Sequence, residues 1–178
     1  MTLRWILRVA AVVAVLGLTV AATSADEATL SMHAKLTGFQ ESPPKLSPST
    51  GHFEATVTGS TLTYTLTYTK LSSPAFMAHI HFGQPAVNGG IFLWLCGTPG
   101  TTNAGPPGTP ACPPNGGTVS RSGVTAADIQ SVVAQNLTAG DFAGALAIIA
   151  AGDAYVNVHT VNFGGGEIRG AVKSDEGD

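Results

Sequence analysis

Strict alternation of apolar and polar residues, in runs of only a few residues cut off by glycine or proline, is the feature that most constrains this chain. The clearest run is Leu62-Thr63-Tyr64-Thr65-Leu66-Thr67-Tyr68, with leucine and tyrosine on one side and threonine on the other. A pleated strand sends successive side chains to opposite faces, so this run reads as a half-buried strand with a solvated threonine face. Leu30, Met32, Ala34 and Leu36 alternate with Ser31, His33 and Lys35 in the same way. Further strand runs follow at residues 53–58, 76–82, 90–95, 154–160 and 167–173.

The punctuation is as informative as the runs. Gly59-Ser60 separates two alternating segments and reads as a two-residue type II′ hairpin. Pro43, Pro44 and Pro48 make residues 38–50 an extended loop, because proline removes a ladder donor and fixes φ. Residues 97–117 are a loop by their glycine, proline, threonine and asparagine content. Two short helices are expected after it. Thr125 with Asp128 resembles a capping box opening a helix with Ile129, Val132 and Val133 on one side. Thr138 with Asp141 repeats the arrangement, Phe142, Leu146 and Ile149 pack inward, and Gly152 closes the helix as a left-handed cap. Six or seven short strands with neighbours paired antiparallel imply an all-β sandwich or barrel with a helical insert. A doubly wound parallel sheet needs a helix between most strands, which this sequence lacks.

The chain is 44% hydrophobic and only 11% charged, with a net charge of -3 and its lysines and arginines scattered, so it has no basic stripe for nucleic acid. Arg4 and Arg8, an apolar run over residues 9–20, and Thr23-Ser24-Ala25 form an export-signal pattern, with cleavage expected after Ala25. The apolar run is shorter than the ~20 residues of a membrane span. The expected organisation is therefore a signal peptide, 1–25, and one domain, 26–178, secreted or periplasmic and free of the membrane after cleavage. Cys96 and Cys112 are the only cysteines. In an oxidising compartment they are expected to form a disulfide worth ~3 kcal/mol, in preference to widely spaced metal thiolates without a neighbouring histidine.

Several segments resemble the CHRD domain, the module first named from chordin. Leu36-Thr37-Gly38-Phe39-Gln40-Glu41-Ser42-Pro43-Pro44 is similar to the family's opening L-x-G-x-x-E-V-P-P, with Ser42 in place of valine. Ala78-His79-Ile80-His81-Phe82-Gly83 resembles its A-H-I-H-x-G. Tyr155-Val156-Asn157-Val158-His159-Thr160 and Gly166-Glu167-Ile168-Arg169-Gly170 resemble its closing Y-V-N-V-H-T and G-E-I-R-G. The resemblance runs from about Leu30 to Lys173 and implies an immunoglobulin-like β-sandwich of exported proteins, with no general enzymatic activity.

Alternation places His79 and His81 on one side of their strand, opposite Ala78, Ile80 and Phe82, roughly 6 to 7 Å apart. It aligns His159 with Tyr155 and Asn157. If the two strands are neighbours, the three imidazoles converge as ligands for zinc or copper. A shorter, partial resemblance to copper,zinc superoxide dismutases covers the same histidines and Arg169, without zinc-loop ligands or a clear fourth copper histidine. The fold expectation is thus an antiparallel Greek-key β-sandwich, immunoglobulin-like or superoxide-dismutase-like. His33 is a further candidate ligand, and His52 reads as solvated. The competing reading has the histidines holding loops through backbone carbonyls, with Asn157 and Thr160 in the same network. Glu167 and Arg169 read as a same-face ion pair, worth at most ~1 kcal/mol if exposed, or Arg169 as an anion guide beside a metal.

No G-x-S-x-G elbow or phosphate loop is present, and no catalytic residue is nominated. Two functions stand. One is a non-enzymatic exported binding or structural module for a protein or small ligand. The other is a copper- or zinc-binding protein using His79, His81 and His159, with weak superoxide-dismutase-like redox activity at most.

Overall fold

Strands β1 (Thr29–Thr37), β2 (Thr50–Thr58) and β3 (Thr61–Thr69) form an antiparallel meander from the two cleanest alternations in the chain. The computed structural model describes residues 29–175, so the expected export signal, 1–25, lies outside the described residues. Thr58 faces Thr61 across the two-residue turn, where Gly59 has a φ of 57°, a left-handed conformation that glycine adopts without a Cβ penalty. Met32, Leu36, Phe53, Val57, Leu62, Tyr64, Leu66 and Tyr68 are buried. The threonines point outward, and Thr65 and Thr67 share hydrogen bonds with Ser120 and Thr118 at 3.0 and 2.9 Å.

Those partners lie on β6 (Gly117–Val124), a strand absent from the sequence reading. Its run is mostly polar and glycine-bearing, and only Val119 and Val124 are buried, so it carries little alternation of its own. The remaining strands are β4 (Ala75–Phe82), β5 (Gly90–Cys96), β7 (Ala154–Thr160), β8 (Ile168–Ala171) and β9 (Lys173–Ser174). The hydrogen-bonded order is β5-β4-β7-β8-β1-β2-β3-β6, with β9 beside β1. Every named strand pair is antiparallel.

The all-β antiparallel expectation holds, with hydrogen bonding running through one sheet nearly closed into a barrel. The end strands β5 and β6 meet at the seam. Counted round that seam the order becomes 1-2-3-6-5-4-7-8, in which β7 returns to lie beside β4, a Greek-key connection. Where no ladder closes the sheet, other bonds do. The Tyr64 hydroxyl donates to the Leu95 carbonyl at 2.5 Å, and Cys96 at the end of β5 is disulfide-bonded to Cys112 ahead of β6.

The second expected helix is present as α1 (Phe142–Ala150), capped by Asp141, whose carboxylate accepts from the Gly144 amide at 2.8 Å. Gly152 follows with a φ of 76°. The first expected helix is replaced by two short 3₁₀ turns, Ala126–Asp128 and Val133–Gln135. Asp128 does accept from the Thr125 amide at 2.9 Å, but the backbone beyond it bonds elsewhere. The Gln130 amide donates to Phe92 at 2.9 Å, and Val132 exchanges bonds with Leu137, so the donors a helix needs are already taken. Ile129 and Val132 are buried as expected, whereas Val133 is 85% exposed.

Candidate metal centre

Strands β4 and β7 are direct neighbours, so the sequence condition for bringing the three histidines together is met. Ala78 and Ile80 on β4 and Val156 and Val158 on β7 face the core. On the opposite face the register pairs His81 with Tyr155, His79 with Asn157 and Met77 with His159. On its other side β4 pairs His79 with Trp94 and His81 with Ile91. Two register shifts in the β4–β5 pairing pass over Leu95 and Phe92, both of which are buried.

This outer face is not solvated. His79, His81 and His159 are 0%, 8% and 6% exposed. Two glycine-bearing loops roof them. The loop after β4 brings the Gly89 carbonyl to within 3.0 Å of His81 Nδ1, and the turn after β7 brings the Gly164 carbonyl to within 2.9 Å of His159 Nδ1. A carbonyl oxygen can only accept, so Nδ1 carries the hydrogen on both rings and the Nε2 lone pairs remain free. His81 Nε2, His159 Nε2 and both ring nitrogens of His79 are buried without a hydrogen-bond partner among the described residues. One ligand atom from each ring lies within 4.8 Å of the others.

The electrostatics keep the rings neutral. Burial, reinforced by the His159 and His81 charges, pushes His79 down to about 2. Burial also lowers His81 to about 4, against the Gly89 hydrogen bond and with smaller contributions from His159 and Arg169. Burial lowers His159 in the same sense, partly opposed by its bond to Gly164. Neutral imidazoles are the form that binds a metal. Ligand nitrogens about 2.0 to 2.1 Å from a tetrahedral ion stand roughly 3.4 Å apart, a separation to compare with the 4.8 Å within which these three lie. The carbonyls that hold Nδ1 would then serve as the outer-shell partners that orient metal-bound histidines.

The other histidines lie outside this cluster. His33 Nδ1 is 3.4 Å from an Asp175 carboxylate, and His52 Nε2 is 3.0 Å from Glu54, both at the surface.

Glu167 and Arg169 correct the sequence reading: they are 0% and 2% exposed and do not pair. Alternation put them on one face, but that face is covered, and loops supply their partners. Glu167 accepts from the Ser47, Ser49, Ser72 and Thr160 hydroxyls and from the Ser72 amide, at 2.5 to 3.0 Å. Burial alone would raise its carboxyl, yet these donors hold it below the usual range. Arg169 donates to the Gln84 and Val87 carbonyls at 2.9 and 2.7 Å and to Asn88 Oδ1 at 3.1 Å. Its guanidinium lies 3.3 Å above the Tyr155 ring, which is stacked on His81 at 4.6 Å. Arg169 thus anchors the loop that orients His81.

Sequence reasoning left three contributors without a site role. Trp94 packs edge-on to His79 at 4.2 Å. Glu41 accepts from Asn157 Nδ2 at 2.6 Å, and burial raises it to about 7 against the pull of Arg169 and that hydrogen bond. Tyr155 donates no bond to the cluster but accepts the Gly89 amide at 3.2 Å. Glu41 and Tyr155 both fall inside motifs of the family resemblance, and alternation had already set Tyr155 on the side of His159.

The sequence model of one protein family, described as the CHRD domain, matches residues 32–172. No curated protein and no solved structure matches the chain.

Proposed function

The chain belongs to the CHRD-domain family, and on that premise we propose that it is an exported binding module whose bound species is a transition-metal ion, copper or zinc. His79, His81 and His159 hold the ion through ring nitrogens. The observation that carries this reading is the set of four buried imidazole nitrogens with no hydrogen-bond partner among the described residues, all on the three clustered rings. A buried polar atom left unsatisfied costs about 1 to 3 kcal/mol, and one ion relieves several at once. A purely structural role accounts for two Nδ1 atoms, through Gly89 and Gly164, and for nothing else on the rings.

Export is the second part of the proposal. The signal pattern over residues 1–25 and the Cys96–Cys112 disulfide fit an oxidising compartment. Among the described residues no helix is long and apolar enough to cross a membrane. Binding without turnover is the reading we favour, because the free ring nitrogens each expose less than 1 Å² and a substrate has no open approach to them.

The test is metal content of the mature protein, stripped with chelator and then titrated with copper or zinc. One equivalent is expected, and at a hundredfold excess over Kd the melting temperature rises by about 5 to 10 °C, from roughly 2.7 kcal/mol of linkage. His79→Ala, His81→Ala and His159→Ala each abolish stoichiometric binding while the fold survives. Sub-stoichiometric metal and an unmoved melting temperature overturn the proposal.

A further inference from the structure

We infer that the ion this centre is built for is copper(I), with the thioether of Met77 as its fourth ligand; the inference rests on the three-histidine reading above. Met77 is the register partner of His159 on β7, the first pair after a register shift that passes over Phe76, and cross-strand partners share one face of the sheet. It therefore stands on the histidine face, two residues from His79. Paired residues have Cβ atoms about 4.5 to 5.5 Å apart, within reach of a long, unbranched side chain with three rotatable bonds. Met32, by contrast, points into the core.

Charge selects the same ion. Among the described residues no carboxylate belongs to the cluster; the rings are met by one another and by two backbone carbonyls, with the Arg169 cation over the Tyr155 ring that stacks on His81. A divalent ion buried among neutral donors, with a guanidinium behind Tyr155, lacks the anionic ligand that would offset its desolvation. A monovalent ion carries a smaller penalty, since the cost of burying charge rises steeply with its magnitude.

Ligand softness and water exclusion agree. Thioether sulfur is a soft donor that selects copper(I), whereas structural zinc sites complete their tetrahedron with thiolate, imidazole or carboxylate. Around the rings stand Trp94 at 4.2 Å from His79 and Phe76 at 6.2 Å from His159, with Ile91 opposite His81. The free nitrogens each expose less than 1 Å², which suits an ion that needs no water ligand and would be oxidised in an open site.

The experiment measures copper(I) affinity of the mature protein, without oxygen, against a chromophoric copper(I) chelator, and zinc affinity separately. X-ray absorption of the copper(I)-loaded protein supplies the ligand set. The expected result is one sulfur scatterer beside the nitrogens in the wild type and none in Met77→Leu. That near-isosteric variant should weaken copper(I) by about 10- to 100-fold and leave zinc unchanged. A nitrogen-only shell in the wild type, or equal copper(I) affinity in Met77→Leu, overturns the inference while metal binding by the histidines stands. Failure of every metal to bind overturns both.

Discussion

Two clusters of buried polar groups meet at the end of β7, where His159 belongs to one and Thr160 to the other, and the chain completes one and leaves ring nitrogens of the other without a partner among the described residues. Around Glu167, four side chains and one backbone amide from three separate segments converge on a single carboxylate, and both its oxygens are filled. Around His79, His81 and His159, two carbonyls orient two of the rings, one nitrogen from each ring lies within 4.8 Å of the others, and four ring nitrogens have no hydrogen-bond partner among the described residues. Both clusters are buried. A fully satisfied network specifies a structure, whereas a half-satisfied one costs stability unless something else completes it. On the metal-binding reading proposed above, the difference is that between a group that fastens the fold and a group arranged for a guest.

Acid should expose that difference most strongly. The three histidines titrate lower in the folded chain than in the unfolded chain, so the unfolded state binds more protons as pH falls below about 6.5. Stability of the metal-free protein is therefore full above that pH and lost progressively toward the folded value of about 4 for His81, with His79 continuing lower. Glu41, raised to about 7, works in the opposite sense over the upper part of this window, but it is one group against three rings. Glu167, held low, adds its loss only below the ordinary glutamate range near 4.5. Urea unfolding from pH 7.5 to 4 should show a fall of a few kcal/mol, beginning near pH 6.5 and delayed by bound metal. A flat curve down to pH 5 would break the comparison.

Glu167→Ala comes next in size. It leaves the buried Thr160 hydroxyl without its acceptor and loosens the loops holding Ser47, Ser49 and Ser72, of which Ser49 keeps its bond to the Lys70 carbonyl. A loss of about 3 kcal/mol or more is expected by urea unfolding, the same with and without metal. The smallest effect belongs to His79→Leu. It removes two orphaned nitrogens and keeps most of the volume, so metal-free stability should change by less than about 1 kcal/mol while the metal-induced rise in melting temperature disappears. If His79→Leu instead costs as much as Glu167→Ala, the histidines fasten the fold as Glu167 does.

Much of the fold was readable residue by residue. The run from Leu62 to Tyr68 announced β3 because a single periodicity governs both its burial and its pairing. Strand β6 was unreadable for the opposite reason: Gly117 to Val124 is a strand because β3 offers it a ladder, and its own sequence is mostly polar. The stretch from Ile129 to Val133 had helical spacing, yet Phe92 and Leu137 took its backbone partners. Tertiary competition for donors decided that segment.

The centre divides along the same line. Alternation alone put His79 beside His81 and gave Tyr155, Asn157 and His159 a common side, since side-chain direction in a strand is a local property. The two cysteines could likewise be paired from their number and context. Burial could not be read, because the outer face of β4 and β7 is dry only through loops that fold over it from positions distant in sequence, and Thr65 on the same kind of pattern stays in water. The burial of Glu167 and Arg169, the orphaned nitrogens and the approach of Met77 to His159 are all consequences of which strands became neighbours. Strand neighbourhood is set by the whole sheet, which no single stretch of the chain encodes.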